Sequence, residues 1–193
     1  MLGANSVTVS APGSIMLTGE HAVVHGAPAI VAAIEQRVTV TVAALPEPIL
    51  TIASDIAPPE TTALVDLRPE GIYRFVNAAV LACSGKLAGG LNIRIQSEID
   101  STLGLGSSAA VTIAVLAALS EGVTADLHTT ALAIVRKIQG RGSGADLAAS
   151  LWGGVQSYQI TGEGPAAVQP LPAPPPLSHL TVAHNTPTRQ ARA

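Results

Sequence analysis

Hydrophobic and polar residues alternate along the first third of the chain, which is the pattern of half-buried β-strands. The alternating segments are residues 6–10, 29–34, 37–45 and 49–54. Ala11-Pro12-Gly13 has the composition of a turn and predicts the end of the first strand. The segment from Pro46 to Pro48 predicts a hairpin that pairs the last two strands. We therefore expect an all-β start.

Apolar residues recur with helical spacing after Pro58-Pro59. The predicted helices run from Pro69 to Gly85, over an aliphatic run that ends near Ala118, from Thr124 to about Gln139, and from Ala145 to Trp152. Strands are predicted at residues 92–99, which lead into a glycine-rich turn, and at residues 155–160. The order strands, helix, strand, helices, strand indicates an α+β fold rather than a regular βαβ repeat.

The C-terminal part of the chain is rich in proline, with six prolines in the twelve residues from Pro165 to Pro176. Such a segment predicts an extended connector that is neither a regular helix nor a central strand. Residues 179–185 then have the pattern of a new strand. We predict a domain over residues 1–164, a linker over 165–178 and the start of a truncated second domain over 179–193. The chain is therefore expected to be incomplete.

The composition limits the partners and the compartment. Hydrophobic residues make up 48% of the chain and aromatic residues only 2%, so the core must consist of Ala, Val, Leu and Ile. The net charge of −3, without a basic run before the C-terminal end, excludes nucleic acid and membranes as expected partners. Cys83 is the single cysteine, so no internal disulfide forms. Without a signal peptide or an apolar run of about 18 residues, we expect a cytoplasmic protein.

The glycine-rich turn, TLGLGSSAA, is the first candidate for chemistry. Gly104 and Gly106 allow a close approach of the backbone to a ligand, and Ser107 and Ser108 place hydroxyls where a helix begins. The free N–H groups of a helix start favour a phosphate, although a helix start with small packing residues has the same composition. Neither G-x-x-x-x-G-K-[ST] nor G-x-G-x-x-G is present.

Two further polar segments interrupt apolar stretches. Ser143 and Asp146 have the S-x-x-D spacing of a capping box, so Asp146 is a helix-capping acid or a functional carboxylate. Glu20 and His21 lie in GEHAVVHG between apolar segments and are either ligand contacts or hydrogen-bonded turn residues. His25, next to Gly26, is expected to be structural.

Three segments in order, Pro12-Gly13 with GEHAVVHG, then GLGSSAA, then SGADLAASLWGG, resemble the GHMP small-molecule kinases over about residues 6–160. GEHAVVHG is most like the mevalonate kinase branch, whereas QGRGSGADLAAS is more like the phosphomevalonate kinase branch. The resemblance implies the α+β fold of the GHMP kinase N-terminal domain, of the ribosomal protein S5 domain 2-like type, with a mixed β-sheet packed with helices. It also implies that a ferredoxin-like C-terminal domain is largely missing.

The resemblance implies ATP-dependent phosphoryl transfer, with Mg²⁺, to the hydroxyl of a small hydroxy acid, most of all mevalonate, with phosphomevalonate as the alternative. It places Asp146 as the catalytic base, with Ser14 and Arg141 as the other catalytic candidates. The candidates around the nucleotide are Gly104, Leu105, Gly106, Ser107, Ser108 and Ala109, with Ser108 as the Mg²⁺ ligand. The candidates around the substrate are Glu20, His21 and Gly144. A homodimer is among the expected assemblies.

The sequence departs from the family at two charged positions. Ser14 stands where mevalonate kinases usually have a lysine, and Val135 stands where they have a Mg²⁺-binding glutamate. Arg141 and Lys137 are either substitute cations or solvated helix-end charges. The third family motif, a glycine-rich loop of the C-terminal domain, has no counterpart before residue 193. A nucleotide-binding homologue with lost or weak catalysis is therefore the second hypothesis, and a decarboxylase of the same superfamily is a third.

Overall fold

A computed structural model describes residues 6–120, 124, 126–162 and 165–172. Within these residues the helices are α1 (Arg74–Ala82), α2 (Ser107–Leu119), α3 (Asp126–Gln139) and α4 (Ala145–Trp152). The strands are β1 (Val7–Thr18), β2 (Ala29–Leu45), β3 (Ile49–Ser54), β4 (Glu60–Ala63), β5 (Gly90–Ser97), β6 (Val155–Gln159) and β7 (Ala167–Leu171). Short 3₁₀ helices lie at Val23–His25, Leu64–Asp66 and Ser84–Lys86. The α+β class is confirmed.

All of these strands belong to one mixed sheet with the order β4-β3-β5-β2-β6-β7, and β1 pairs additionally with β2. The pair β3 and β5 is parallel, whereas the other pairs are antiparallel. β2 is the strand that organises the sheet, because it pairs with β1, β5 and β6 along different parts of its length.

The first strand does not end where the sequence predicted. β1 continues through Pro12 and Gly13, and its register shifts between Pro12, paired with Arg37, and Ser14, paired with Ala33. Such an irregularity interrupts the ladder without ending the strand. The two strands predicted at residues 29–34 and 37–45 are likewise one strand, β2.

The predicted hairpin across Pro46 to Pro48 is also wrong. β3 pairs with β4 and, in parallel, with β5, so β5 lies between β2 and β3. The first helix is shorter than predicted: α1 begins at Arg74 rather than Pro69, because Gly71 takes a left-handed φ of +72° that a helix does not accommodate. α1 ends at Ala82 and a 3₁₀ turn follows it.

Part of the predicted proline-rich linker is a strand. β7 pairs antiparallel with β6 at the edge of the sheet and contains Pro170. Proline is tolerated there because an edge strand leaves one row of N–H groups unpaired. The strand predicted at residues 179–185 lies outside the described residues. The domain boundaries stay a prediction.

The core lies between the sheet and the helices. Val38, Val40 and Val42 of β2 are buried on one face, and α2 packs against β1, β2 and the other three helices. Nine of the thirteen residues of α2 are buried, which explains why this helix is apolar on all sides. None of the helices in the described part of the chain is long and apolar enough to cross a bilayer.

Candidate active site

The irregular part of β1 holds the glycine-rich turn in place. The backbone N–H of Ser14 donates a hydrogen bond to the carbonyl oxygen of Leu105 at 3.0 Å. The strand lies so close to the turn that a Cβ on Gly13 would be 2.6 Å from the same oxygen. The irregular part of β1 thus contacts the loop through the backbone of Gly13 and Ser14.

Two glycines shape this turn for different reasons. Gly104 and Gly106 both have φ of +70°, in the left-handed region that glycine adopts without strain. A Cβ on Gly106 would collide with the hydroxyl of Ser14, whereas a Cβ on Gly104 would meet no atom within 4 Å. Gly106 is thus required for the close approach of the loop to β1, and the space beside Gly104 is open.

The turn leads directly into α2, whose first backbone N–H groups have no intrahelical partner. Gly106 is the N-cap residue, and no side chain caps the helix. The N–H of Ala110 bonds to the carbonyl of Gly106, so the N–H groups of the first helical residues precede the intrahelical ladder. Ser107 and Ser108 are half-buried beside them, while the methyl of Ala109 is buried in the core. For Ala109, only the backbone N–H remains as the group that can face a ligand.

Asp146 reaches the same place from the first turn of α4. Ser14 Oγ donates a hydrogen bond to Asp146 Oδ1 at 3.0 Å. The capping-box interpretation is wrong, because the N-cap residue of α4 is Gly144 and no side chain caps this helix. The Ser143 hydroxyl instead accepts a bond from the N–H of Ala145 at 3.3 Å. The Asp146 carboxylate is therefore left for Ser14 and for solvent.

The environment of Asp146 disfavours its charged form. Asp146 is exposed to solvent, but the protein around its carboxyl partly desolvates the charge, and this desolvation raises the pKa of the carboxyl. The hydrogen bond from Ser14 acts in the opposite direction and lowers the pKa, whereas the negative charge of Glu20 raises it. A carboxyl with a raised pKa in a solvent-accessible recess is a candidate proton acceptor near neutral pH.

A cavity of about 310 Å³ adjoins the start of α2. Ser107 and Ser108 lie on its wall, and much of the remaining lining is apolar, including Ile56, Ile72 and Val111. This volume is at the lower end of the range for small-molecule pockets, which is about 300–1,000 Å³. Asp146 is not among the residues that line this cavity. Two larger cavities, of about 550 and 540 Å³, are lined by neither Asp146 nor the two serines.

Residues 72–154 match the GHMP kinases N terminal domain, and residues 2–44 match the galactokinase galactose-binding signature. A mevalonate kinase from Methanothermobacter thermautotrophicus is 38% identical over 154 residues, which are 77% of this chain and 48% of that protein. The chain belongs to the GHMP kinases through their N-terminal domain.

Two other proteins extend this similarity. A phosphomevalonate kinase from Streptomyces sp. is 31% identical over 188 residues, covering 81% of this chain and 50% of that protein. The solved mevalonate kinase of Methanococcus jannaschii has the same fold, with a TM-score of 0.73, 24% identity, and coverage of 82% of this chain and 57% of that one. The chain spans about half the length of the curated relatives it matches.

Within this GHMP domain the predicted substrate residues are unequally placed. Glu20 is exposed and close enough to Asp146 to act on its pKa. His21 is exposed on the same turn and bonds to no other described residue. His25 is exposed at the end of the 3₁₀ helix Val23–His25. Gly144 is buried. Its contact with the substrate stays a prediction.

The charged candidates near Asp146 do not supply a cation to it. Arg141 is exposed, and among the described residues Glu20 is the charged group that shifts the pKa of Asp146. Arg136, which the sequence reasoning missed, binds the turn before α4 instead: its Nε donates to the carbonyl of Gly142 at 3.1 Å. Val135 is buried and packs against Gly142, so the position of the family's glutamate carries an apolar contact.

The loop and its cavity fit a nucleotide better than they fit a free metal ion. The open space beside Gly104 and the N–H donors at the start of α2 suit phosphates. The apolar cavity suits an aromatic base. No group of three or more His, Cys, Asp or Glu side chains in the described part of the chain is arranged to hold a metal. Ser108 offers one hydroxyl, so a Mg²⁺ ion would be held largely by nucleotide phosphates and water.

Proposed function

We propose that this chain carries the nucleotide site and the catalytic base of a kinase that transfers the γ-phosphoryl group of ATP to the hydroxyl of mevalonate. The placement of Ser14 supports this proposal most directly. Its amide holds the glycine loop through Leu105, and its hydroxyl binds Asp146. Ser14 thus connects the loop that would bind the phosphates to the carboxylate that would accept the proton of the acceptor hydroxyl.

The nucleotide would bind with its phosphates at the start of α2. The N–H groups of Ser107 and Ser108 and the positive end of the helix dipole favour an anion there. The base would occupy the 310 Å³ cavity, whose apolar walls begin next to the two serines. Residues that line this cavity, such as Ile56 and Ile72, are exposed hydrophobic side chains that a bound base would cover.

Asp146 would accept the proton of the acceptor hydroxyl as its oxygen forms a bond to the γ-phosphorus and ADP departs. A raised pKa makes this carboxylate a stronger base than an ordinary aspartate, provided that it is ionised. Phosphoryl transfer otherwise depends on positioning and on stabilising charge. Because no described cation lies next to Asp146, we propose that Mg²⁺ carried by the nucleotide, with Ser108 as a ligand, neutralises the phosphate charge.

Mevalonate is the first choice of acceptor because relatives named mevalonate kinase share 33–38% identity with this chain. The Streptomyces relative, named phosphomevalonate kinase, makes the phosphorylated acceptor the second candidate. Glu20 and His21 are the proposed acceptor contacts, on the basis of the charge of Glu20 at Asp146. We place the reaction in the cytoplasm, where ATP is available, and a homodimer stays a prediction.

A coupled assay of ADP release tests the proposal with the intact protein, ATP, Mg²⁺ and each acceptor in turn. We expect turnover with mevalonate. Turnover with phosphomevalonate alone would transfer the proposal to the second acceptor. If calorimetric titration shows that the nucleotide binds but neither acceptor is phosphorylated, the second hypothesis, a nucleotide-binding homologue with lost or weak catalysis, replaces this proposal.

Replacement of Ser14 by Ala is expected to move the acidic limb of the kcat profile to higher pH. The Ser14 hydroxyl lowers the pKa of Asp146, so its removal lets burial raise that pKa further. The profile should be compared with that of Ser10→Ala, which removes a β1 hydroxyl that accepts a bond from Arg37 instead. An acidic limb that is the same in Ser14→Ala and in the unmodified protein would contradict the role assigned to this bond.

A further inference from the structure

The turn that precedes Asp146 is held by two buried rings from other elements. The hydroxyl of Tyr158 in β6 donates a hydrogen bond to the carbonyl oxygen of Ser143 at 2.6 Å. His128 of α3 contacts the carbonyl oxygen of Gly144 through Nε2 at 3.0 Å. Because a carbonyl oxygen only accepts, His128 has its proton on Nε2 in this contact. Two consecutive carbonyls are thus fixed from two directions.

Burial keeps both rings in the protonation state that these bonds need. Tyr158 is fully buried, and burial raises the pKa of its hydroxyl to about 12, so the proton stays in place at neutral pH. His128 is 6% exposed, and burial lowers the pKa of its imidazole, so the ring is neutral at the same pH. The two ring centroids are 5.7 Å apart. The pair is a preformed part of the fold.

The turn has no room to move towards these rings. Gly144 has φ of +94°, and a Cβ there would be 2.7 Å from Tyr158 Oη and 3.1 Å from Leu132 Cδ1. The carbonyl of Gly144 also accepts the N–H of Ala148, the bond that begins the ladder of α4. The position of this turn therefore sets where α4 starts, and Asp146 lies two residues further along.

We propose that Tyr158 and His128 are positioning residues: through the carbonyls of Ser143 and Gly144 they fix the start of α4 so that Asp146 faces Ser14. Neither ring bonds to Asp146 itself, so the effect passes through the backbone. The effect on turnover rests on the proposed function. The effect on the placement of the carboxylate does not, and it is measurable by itself.

A purely structural role predicts a different result. Any lost buried hydrogen bond destabilises the fold, whichever end of α4 it holds. Gln156 provides the matched case, since its Nε2 donates to the carbonyl of Gly153 at 2.7 Å, at the other end of the same helix. Gln156 is also buried and belongs to β6, as Tyr158 does. Only the bonds at the first turn of α4 are expected to act on Asp146.

The test compares Tyr158→Phe with Gln156→Met in the intact protein. We expect Tyr158→Phe to lower kcat by about 10- to 100-fold, the range for a small misplacement of a reacting group, with the KM for ATP unchanged. Gln156→Met is expected to retain kcat. His128→Leu should resemble Tyr158→Phe, and His128→Gln, which keeps a donor near the Nε2 position, should recover part of the loss. Equal kcat values for Tyr158→Phe and Gln156→Met would overturn the proposal.

A second readout decides the matter if the unmodified protein phosphorylates no acceptor, in which case the proposed function fails but the positioning role is still tested. The Asp146 carboxyl carbon is followed by NMR as the pH is changed, and Asp146→Asn identifies its signal. A displaced carboxyl loses both the desolvation that raises its pKa and the Ser14 bond that lowers it, and desolvation is the larger of the two effects. We therefore expect the pKa of Asp146 to fall towards its ordinary value in Tyr158→Phe. A titration identical to that of Gln156→Met would overturn the positioning role.

Discussion

Replacement of Asp146 by Asn is expected to lower kcat by about 10²–10⁴-fold, the contribution of a general base. Asparagine has nearly the same shape and keeps an oxygen that accepts the Ser14 hydroxyl, but it takes no proton from the acceptor. The KM for ATP should change little, because the glycine loop and the start of α2 are untouched. Steady-state kinetics with each acceptor measures both quantities.

The same substitution should leave the fold as stable as before or make it more stable. The raised pKa of Asp146 means that the folded state favours the protonated carboxyl, so its stabilising contribution is present below the ordinary pKa and is lost as the pH rises through the raised value. At neutral pH the ionised carboxylate therefore opposes folding, and asparagine removes this penalty. Tm measured at pH 7 should be equal or higher in Asp146→Asn, and the difference should shrink in acid.

Asp126→Asn is the matched control for both measurements. Asp126 is also an exposed aspartate in the first turn of a helix, α3, but it belongs to no part of the proposed site. Its replacement should leave kcat unchanged. A kcat for Asp146→Asn that equals that of Asp126→Asn would remove Asp146 from the reaction.

Replacement of Gly106 by Ala should weaken nucleotide binding by about 10- to 100-fold and also destabilise the fold. The residue has φ of +70°, and the new Cβ would collide with the Ser14 hydroxyl, so the loop must move away from β1. That movement shifts the donors of Ser107 and Ser108 and disturbs the bond from Ser14 to Asp146. Calorimetric titration with a non-hydrolysable ATP analogue measures the loss.

Two other glycines separate the collision from the backbone strain. Gly104 in the same loop and Gly140 at the end of α3 have φ of +70° and +73°, and a Cβ on either meets no atom within 4 Å. Replacement of either glycine by Ala should lower the stability of the fold by about 1–2 kcal/mol, because the new residue must adopt the left-handed conformation. Gly140→Ala should retain nucleotide affinity, and Gly104→Ala should lose less affinity than Gly106→Ala. Equal affinities for Gly106→Ala and Gly140→Ala would show that the loop does not bind the nucleotide.

The parts of the structure that depend on local residues could be predicted from the sequence. The start of α2 at the two serines of GLGSS and the extent of α4 follow from nearby glycines, serines and the apolar run behind them, and both were predicted correctly. The ends of β1 and α1 were not, because they depend on the neighbours that each segment meets. β1 continues through Pro12-Gly13 because it pairs with β2 there and because the N–H of Ser14 bonds to the carbonyl of Leu105.

The contact between Ser14 and Asp146 could not be predicted from local sequence patterns. Ser14 and Asp146 are 132 residues apart in the chain, and no pattern around either residue indicates the other. Resemblance to a family placed both residues in the site, but it described Ser14 as a lost lysine and not as the link between the loop and the carboxylate. The cavity beside Ser107 was missed for the same reason, since its lining comes from separate segments that meet only in the fold.

We propose that the glycine loop and Asp146 form one phosphoryl-transfer site around Ser14. A crystal structure of the intact protein with a non-hydrolysable ATP analogue and mevalonate tests it directly. We expect the phosphates at the N–H groups of Ser107 and Ser108, and an acceptor oxygen about 3 Å from the carboxylate of Asp146. A nucleotide bound elsewhere, or an acceptor hydroxyl out of reach of Asp146, would contradict it.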